Sequence, residues 1–305
     1  MLRTCLAWFG ILFGLVCPAL ADWREEVGTF RVSIAAGSDA ALVARRAEPF
    51  RLALEQALGM PVEIVPARDY PALIDAASHS RIEYAILSAS AYAAAWTICE
   101  CVEPLVVAST SSGETDFRQI IIARQGGPAA ALDLNGRKLA LVDSEAAGGA
   151  MLARYELQSL GVDLDSQTII LQKFDRSDEA IDALTSGNAD AMLGWSSMTG
   201  DPASGYSRGT LRRIAELGGQ AGDYRVIWQS SPIPHRVHAI RKNIDGEAKT
   251  ILRSLLTNMF GADPVAYDSV EPAFGGGFTA ARQGQFEPIA AIFRQKGLSQ
   301  EPVSK

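Results

Sequence analysis

Short apolar runs alternate with amphipathic segments along the first third of the chain. The segment FRVSIAA at 30–36 is rich in β-branched residues and predicts a strand, and residues 40–58 carry apolar side chains at helical spacing up to Gly59. Pro49 has no backbone N–H to donate, so it should kink or restart this helix. The alternation continues through PVEIVPA, YPALIDAASH, EYAILSA and SAYAAAWTI. A repeated βα pattern of this kind predicts a parallel sheet covered by helices.

A second series of the same kind follows the polar stretch SSGETD. The segments FRQIIIAR and RKLALVDS predict strands, and a helix is predicted over about 149–160. The pattern continues through TIILQKF, DEAIDALTSG and ADAMLGWSS, and YRVIWQSSPIPHRVHAIR predicts two more strands interrupted by Pro232 and Pro234. Helices are predicted over 245–260 and in the tail. Two α/β units in tandem are the simplest interpretation.

The first 21 residues differ in composition from the rest of the chain. Arg3 precedes an almost wholly apolar run from Leu6 to Val16, and small residues end the segment at Ala21. This pattern predicts a signal peptide over residues 1–21, cleaved on export. The apolar run is shorter than the roughly 20 residues that span a bilayer. The net charge of −7 argues against a nucleic-acid surface, so no nucleic-acid partner is expected.

Two cysteines, Cys99 and Cys101, lie outside the predicted signal peptide. Two cysteines do not make a disulfide framework. We expect two semi-buried thiols at the start of a strand, although an oxidising compartment would allow a bridge between them. No second Cys or His cluster accompanies the pair, so we expect neither a metal site nor a cofactor.

Four turns carry the polar residues from which a ligand site could be built. In open α/β sheets, ligands bind at the carboxyl ends of strands. The predicted strands end at 37–39, 88–92, 144–149 and 195–197. One serine in such a turn is usually a helix cap, but turns of this composition on two separate units could close around a small polar ligand from both sides.

No catalytic motif accompanies these turns in the sequence. The three histidines are His79, His235 and His238, and no serine lies in a Gly-x-Ser-x-Gly pattern. The glycine triplet at 275–277 lacks the Lys-Ser/Thr of a phosphate loop and predicts a flexible turn. We therefore do not expect an enzyme. A hydrolase or transferase of this fold would need a catalytic dyad between a histidine and a cleft serine.

Four segments stand in a fixed order along the chain: PFRLALEQALGMPVEIVPARDYPALIDAASHSRIEYAILSASAYAAA, DLNGRKLALVDSEAAGGAML, DEAIDALTSGNADAML and YRVIWQSSPIPHRVHAIRKNID. This ordered set resembles the substrate-binding proteins of phosphonate, phosphite and phosphate ABC transporters, the phosphonate-binding-protein-like group of type 2 periplasmic binding proteins. The resemblance implies two α/β lobes joined by two crossing strands, with a ligand cleft between them that closes by hinge motion. Lobe one would comprise 22–115 plus 233–305, and lobe two 116–232.

The resemblance also implies which residues bind the ligand. The first lobe would contribute two strand-end turns and the second lobe the start of a helix. At the end of a second-lobe strand, Trp195 could stack on an organic part of the ligand, or it could be a buried core aromatic. The complete predicted set is Gly37, Ser38, Ser88, Ser90, Tyr92, Ala147, Gly148, Gly149, Trp195 and Ser196.

The second-lobe turn departs from the family pattern. Where the family typically shows Asp-Pro-x-Ser-Thr-Ser-Gly, residues 143–149 read DSEAAGG, so Ala146, Ala147 and Gly148 replace three hydroxyl residues. A hydrogen bond to a charged group contributes roughly 1.5–3 kcal/mol, so this loss should weaken oxyanion binding unless other donors replace the hydroxyls. We expect a small anionic ligand, either phosphonate-, phosphite- or phosphate-like or a different organic anion such as a sulfonate.

Two functions are consistent with these expectations. In the first, the protein delivers its ligand to an ABC permease. In the second, the same fold senses a ligand and partners a membrane receptor kinase, and the sequence does not separate the two. By resemblance to the family, a monomer is expected in either case.

Overall fold

The computed structural model describes residues 22–142 and 150–295. The predicted signal peptide at 1–21 and the turn residues Ala147, Gly148 and Gly149 lie outside the described residues. In the two described stretches, no helix is both long and apolar enough to cross a membrane. The α-helices of these stretches are α1 (Trp23–Val27), α2 (Ala40–Arg46), α3 (Glu48–Leu58), α4 (Tyr70–Ser78), α5 (Ala89–Cys99), α6 (Met151–Ser159), α7 (Ser177–Ser186), α8 (Thr210–Glu216), α9 (Gly246–Ala262), α10 (Pro264–Val270) and α11 (Glu287–Gln295). The strands are β1 (Phe30–Ala35), β2 (Val62–Ala67), β3 (Tyr84–Leu87), β4 (Val102–Ala108), β5 (Asp116–Arg124), β6 (Lys138–Val142), β7 (Ile170–Phe174), β8 (Ala191–Ser196), β9 (Tyr224–Gln229), β10 (Ile233–Pro234), β11 (Val237–Arg241) and β12 (Phe278–Ala280).

The segment 40–58, predicted as a helix that Pro49 kinks or restarts, forms two helices that meet next to this proline. Helix α2 ends at Arg46, and α3 restarts with Pro49 in its first turn, where the missing N–H has no intrahelical partner to lose. Asp39 caps α2 by accepting a hydrogen bond from the backbone N–H of Leu42 at 2.8 Å. Gly59 ends α3 at φ 66°, a left-handed conformation that glycine adopts without steric cost. The predicted break at Pro49 is confirmed.

The first sheet has the strand order β12-β4-β11-β3-β1-β2. Strand β1 pairs in parallel with β2 and β3, as the βα alternation predicts. Strand β11 pairs antiparallel with β3 and β4, so the parallel arrangement predicted for this series holds for β1, β2 and β3 but not for the whole sheet. The reason is that β11 enters from the second sheet through a short connection, whereas a parallel neighbour requires a long crossover.

The second sheet has the strand order β10-β5-β8-β6-β7, and β9 pairs with β5 outside this path. Strand β6 is parallel to β7 and β8, and β5 is antiparallel to β8, β9 and β10. The segment predicted to hold two strands around Pro232 and Pro234 forms three, because the two residues of β10 pair with the start of β5. Both sheets are therefore mixed.

The chain passes between the sheets twice, once through residues 109–115 and once through residues 235–236. We call these segments the first and second crossovers. Two α/β sheets joined by two crossings are the architecture expected for a type 2 periplasmic binding protein. The lobe boundaries at 22–115 with 233–305 and at 116–232 stay a prediction.

Apolar side chains fill both faces of each sheet. In lobe one, α3, α9 and α10 cover one face and α4, α5 and α11 the other. In lobe two, α6 covers one face, and α7 and α8 cover the opposite face. Leu152 of α6 is an exception, because it is buried in the lobe-one cluster that contains Ile233 and Phe286. Helix α6 therefore contacts the cores of both lobes.

Cys99 and Cys101 form a disulfide, with their Cα atoms 5.0 Å apart. The bridge joins the end of α5 to the residue before β4, and Glu100 between the two cysteines has φ 49°. The expectation of two separate thiols is therefore wrong. A residue in the left-handed region turns the chain sharply enough to bring neighbouring side chains together, and sequence spacing does not reveal this conformation.

Candidate functional site

The turn after β1 presents Gly37 and Ser38 at the surface of lobe one. Both residues are exposed, and Gly37 has φ 60°, which a residue with a side chain rarely adopts. Asp39 caps α2, so the turn is held by the helix that follows it. Gly37 and Ser38 thus lie at the carboxyl end of a central strand, where ligands of α/β sheets bind.

The turn after β3 carries Ser88 and Ser90 at the start of α5. The Ser88 hydroxyl accepts a hydrogen bond from the backbone N–H of Ala91 at 3.2 Å and lies 3.3 Å from the Ser90 hydroxyl. Ser88 is buried, whereas Ser90 is partly exposed. Ser88 acts as an N-cap, and Ser90 is the more accessible hydroxyl of the pair.

Tyr92, which was predicted to contact the ligand, is fully buried in the core of lobe one. Its ring lies 4.5 Å from that of Phe286, and its hydroxyl donates to Oε1 of Gln283. Helical geometry explains this, because residue four of α5 turns toward α11 and the core. We therefore leave Tyr92 out of the proposed ligand set.

The end of β8 places Trp195 and Ser196 in different environments. Trp195 is 38% exposed, and its backbone N–H donates to the Thr210 hydroxyl at 3.0 Å. Ser196 is fully buried, and its hydroxyl accepts from the backbone N–H of Met198 at 3.0 Å. Trp195 therefore offers a ring to solvent, whereas Ser196 shapes the following turn.

Helix α6 follows the turn in which Ala147, Gly148 and Gly149 were predicted to bind an anion. Its third backbone N–H, that of Ala153, donates to Oε1 of Gln119 at 2.9 Å. This bond fixes the start of α6 over β5, on the face of the second sheet from which Trp195 also projects. The role of the three turn residues stays a prediction.

Four aromatic rings and one guanidinium group form a continuous row that includes His235 of the second crossover, and we call it the aromatic row. Trp195 contacts Phe117 edge-on at 5.8 Å, and Phe117 stacks on His235 at 5.8 Å. His235 in turn lies 4.8 Å from Phe274, over which the Arg208 guanidinium lies at 6.0 Å. The row runs from Trp195 in lobe two through His235 of the second crossover to Phe274 in lobe one.

The sequence reasoning did not find this row. Its members lie far apart along the chain, and no periodicity connects Phe117 with His235. One signal was available for Phe117 and His235, because they lie next to the predicted lobe boundaries at 115–116 and 232–233, where side chains of both lobes meet. Aromatic residues at such positions are candidates for the floor of a cleft.

His235 is the polar member of the row, and its Nε2 atom is buried. No hydrogen-bond partner for this atom exists in the part of the chain that the structure describes. Burial and, to a smaller extent, the nearby Arg208 charge lower the pKa of His235 to about 4, although Glu114 and Glu271 act in the opposite direction. The imidazole is therefore neutral at pH 7.

A polar link joins lobe two to the first crossover beside the aromatic row. The Ser207 hydroxyl donates to Oε1 of Glu114 at 2.9 Å, and the Thr110 hydroxyl donates to Oε2 of the same carboxylate. Each Glu114 oxygen thus accepts one hydroxyl hydrogen bond, and the carboxylate keeps its charge beside the aromatic row.

A cavity of about 340 Å³ opens at the carboxyl ends of β7 and β8. Its lining includes Trp195, Arg208, Arg213 and Asp178. Arg213 is bound to Asp178 through two hydrogen bonds of 3.0 and 2.7 Å, whereas Arg208 forms no ion pair with any described residue. A larger cavity of about 560 Å³ lies between β7 and α7 and includes no residue of the aromatic row. The smaller cavity is the better candidate because it adjoins the aromatic row.

His238 lies in a buried network and not in a cleft. Its Nδ1 is 2.6 Å from the Tyr84 hydroxyl, and its Nε2 is 3.1 Å from Oε1 of Glu271. Within residues 22–142 and 150–295, neither His235 nor His238 has a serine as a hydrogen-bond partner. A dyad between a cleft serine and His235 or His238 is therefore not formed there, and His79 contacts the hydroxyl of its neighbour Ser78 at the end of α4.

Comparison with known sequences identifies the family of this arrangement. The family described as ABC transporter, phosphonate, periplasmic substrate-binding protein matches residues 32–286. The match spans both sheets and both crossovers.

Solved structures share the fold at low sequence identity. XAC2383 from Xanthomonas citri, solved with ATP bound, is 15% identical with a TM-score of 0.63, over 90% of this chain and 100% of that one. PhnD1 from Prochlorococcus marinus, in complex with methylphosphonate, is 12% identical with a TM-score of 0.55, over 88% and 98%. A binding protein component of an ABC phosphonate transporter from Pseudomonas aeruginosa is 17% identical with a TM-score of 0.54, over 89% and 87%. At these identities the likeness shows the fold alone.

Proposed function

The chain belongs to the family of phosphonate ABC transporter periplasmic substrate-binding proteins, and from this membership we propose that it captures a small anion in the interlobe cleft and delivers it to an ABC permease. The family match over both sheets is the observation that carries the proposal. Residues 1–21 would direct export as a cleaved signal peptide. One chain would bind one ligand, as a monomer.

The proposed ligand set comes from strand ends on both lobes. Gly37 and Ser38 are exposed on lobe one, and Ser90 lies at the N-terminus of α5, where free backbone N–H groups favour anions. On lobe two, the turn before α6 and the exposed ring of Trp195 would face the same ligand. We assign Ser88 and Ser196 to support of these turns, since each hydroxyl already accepts a backbone hydrogen bond.

Calorimetric titration of the mature protein tests the proposal. The ligands are methylphosphonate, phosphite, phosphate, sulfonates and small carboxylates, each at low salt because exposed electrostatic contacts are screened by salt. We expect one of these anions to bind with a stoichiometry of one. A protein with an intact circular dichroism spectrum that binds none of them would exclude the proposed function.

The missing hydroxyls of the lobe-two turn provide a second test. We predict that Ala146→Ser, Ala147→Thr and Gly148→Ser together raise the affinity for phosphate or methylphosphonate by at least about tenfold, because each new hydrogen bond to the anion is worth roughly 1.5 kcal/mol or more. The measurement is the Kd from calorimetry.

The control for this triple variant repeats the same chemistry elsewhere in lobe two. Ala129 and Ala130 are exposed, so Ala129→Ser and Ala130→Thr add hydroxyls away from the cleft. This control should keep the wild-type Kd. Equal Kd values for the triple variant and the wild type would show that the turn before α6 does not hold the anion.

A further inference from the structure

The aromatic row gives the cleft a chemistry that a small inorganic anion does not require. Resting on the proposed function, we propose that the ligand carries a planar apolar group, aromatic or heteroaromatic, next to its anionic group. The planar group stacks on Trp195, and Arg208 neutralises the negative charge of the ligand. The sequence departure at 146–148 agrees with this, since a ligand held by apolar contact depends less on hydroxyl donors.

Trp195 has the exposure that a stacking platform needs. Its ring is 38% exposed although it projects from the end of a strand whose other residues are largely buried. Phe117 contacts it edge-on, with an interplanar angle of 78°. An edge-on neighbour supports the ring without forming a stack with it. A planar ligand group that covers this water-exposed apolar surface binds favourably, because the contact removes apolar area from water.

The platform is held rigidly from several directions. The Trp195 backbone N–H is bonded to the Thr210 hydroxyl, and a Cβ built on Gly209 would overlap with the Trp195 carbonyl oxygen. Behind Phe117 the row continues through His235 to Phe274. A ring fixed before binding loses little conformational entropy when the ligand arrives, which favours affinity.

Arg208 supplies the charge that an anion needs at this end of the cleft. It is half-buried, and it forms no ion pair with the residues that the structure describes. The Glu114 carboxylate, which accepts hydrogen bonds from Ser207 and Thr110, forms no ion pair with Arg208. By contrast, Arg213 is neutralised by Asp178. A half-buried guanidinium without a counter-ion attracts an anion more strongly than a paired one does.

The available space suits an organic substituent. The cavity of about 340 Å³ beside Trp195 and Arg208 falls within the range of roughly 300–1,000 Å³ that is usual for small-molecule pockets. The five heavy atoms of methylphosphonate would leave most of it empty. A benzene-sized ring would fill more of this volume, to whose lining Trp195 and Arg208 both contribute.

Two matched ligand pairs test the proposal without changing the protein. Phenylphosphonate is compared with methylphosphonate, and benzenesulfonate with methanesulfonate, by calorimetry, so that the anionic group stays constant within each pair. We expect the aromatic member of at least one pair to bind about tenfold more tightly. Equal or weaker binding of both aromatic members would overturn the inference while leaving the proposed function standing. Absence of binding by every anion would instead remove the proposed function itself.

Substitutions of Trp195 and Arg208 test which of the two side chains binds the aromatic group and which binds the anionic group. Trp195→Ala should weaken binding of the aromatic anion about tenfold and change the Kd of its methyl counterpart less than about twofold. Arg208→Gln should weaken both members of the pair about equally. Arg253→Gln is the matched control, because Arg253 lies on α9 and pairs with Glu103 away from the cleft. Equal losses of both ligands in Trp195→Ala, or an unchanged Kd in Arg208→Gln, would contradict the assigned roles.

A fluorescence titration covers the case in which Trp195→Ala fails to fold. Trp195→Phe keeps an aromatic ring at the position, and the aromatic anion should change the indole emission of the wild type but not that of this variant. Trp96→Phe removes a different indole on lobe one, which lies 5.8 Å from Arg294, and should keep the emission change. The same emission change in Trp195→Phe as in the wild type would contradict stacking on Trp195.

Discussion

His235 illustrates how a single residue can make the protein sensitive to acid. It lies between the rings of Phe117 and Phe274, where charge is poorly solvated, and Arg208 is close by. Its pKa falls to about 4 in the folded protein, below its ordinary value near 6.5. The unfolded chain therefore binds more protons than the folded protein between these two pKa values.

We predict that the free energy of unfolding falls as the pH is lowered from 6.5 toward 4, by on the order of 1–2 kcal/mol between pH 7 and pH 5 from His235 alone. Above pH 6.5 this contribution is fully present, because the imidazole is neutral in both states. His235→Phe keeps a ring between Phe117 and Phe274, and it should reduce the slope of the free energy of unfolding against pH. Urea unfolding at pH 7 and pH 5 measures the change in the free energy of unfolding between the two pH values.

The control for His235→Phe is His79→Gln, since His79 is exposed on the surface of lobe one. This control should keep the wild-type slope. His238 leaves a residual slope of the same sign in both variants, because burial lowers its pKa as well. Identical slopes in His235→Phe and wild type would contradict the assignment to His235.

At the scale of elements, the glycine triplet at 275–277 supports the first crossover. It was predicted as a flexible turn, but it packs closely against residues 109 and 110. The Gly276 N–H donates to the Ser109 carbonyl at 3.0 Å, and the Ser109 N–H donates to the Gly277 carbonyl at 2.9 Å. A Cβ built on Gly276 would overlap with the carbonyl oxygen of Thr110. The close approach of two backbone segments is therefore the reason for glycine here.

We predict that Gly276→Ala lowers the free energy of unfolding by about 2–3 kcal/mol, because the added methyl group must displace the backbone of the first crossover. Gly275→Ala is the matched control. Its Cβ would lie 3.6 Å from the Cβ of Ser111, an ordinary contact, so a change within about 0.5 kcal/mol is expected. Urea unfolding of the two variants compares them directly, and equal stabilities would contradict the close packing at Gly276.

At the scale of the whole molecule, α6 couples the two lobes. Its Leu157 is buried in the lobe-two cluster, whereas its Leu152 is buried with Ile233 and Phe286 of the lobe-one cluster. Because α6 contributes side chains to both cores, unfolding of one lobe removes packing contacts from the other lobe.

We predict that Leu152→Ala separates the thermal unfolding of the lobes into two transitions. Leu157→Ala should instead shift the melting of the molecule without dividing it. Both changes remove the same atoms from one helix and should cost about 2–5 kcal/mol where they act. Differential scanning calorimetry distinguishes them through the ratio of calorimetric to van't Hoff enthalpy. A single transition in Leu152→Ala would show that α6 is not the coupling element.

The sequence by itself determined the elements, the tandem arrangement and the family resemblance. Periodicity, proline and glycine act over one or two turns, so the break at Pro49, the end of α3 at Gly59 and most strands could be predicted. The strand ends at Gly37, Ser88 and Trp195 followed from the order of those elements.

Only the tertiary structure decided which side chains meet. The antiparallel entry of β11, the burial of Tyr92 against Phe286 and the aromatic row from Trp195 to Phe274 all depend on contacts between residues far apart in the chain. Contacts of that kind follow from how helices and sheets pack in three dimensions, and local sequence pattern does not specify them. The candidate ligand chemistry rests on such contacts, which is why it emerged from the structure.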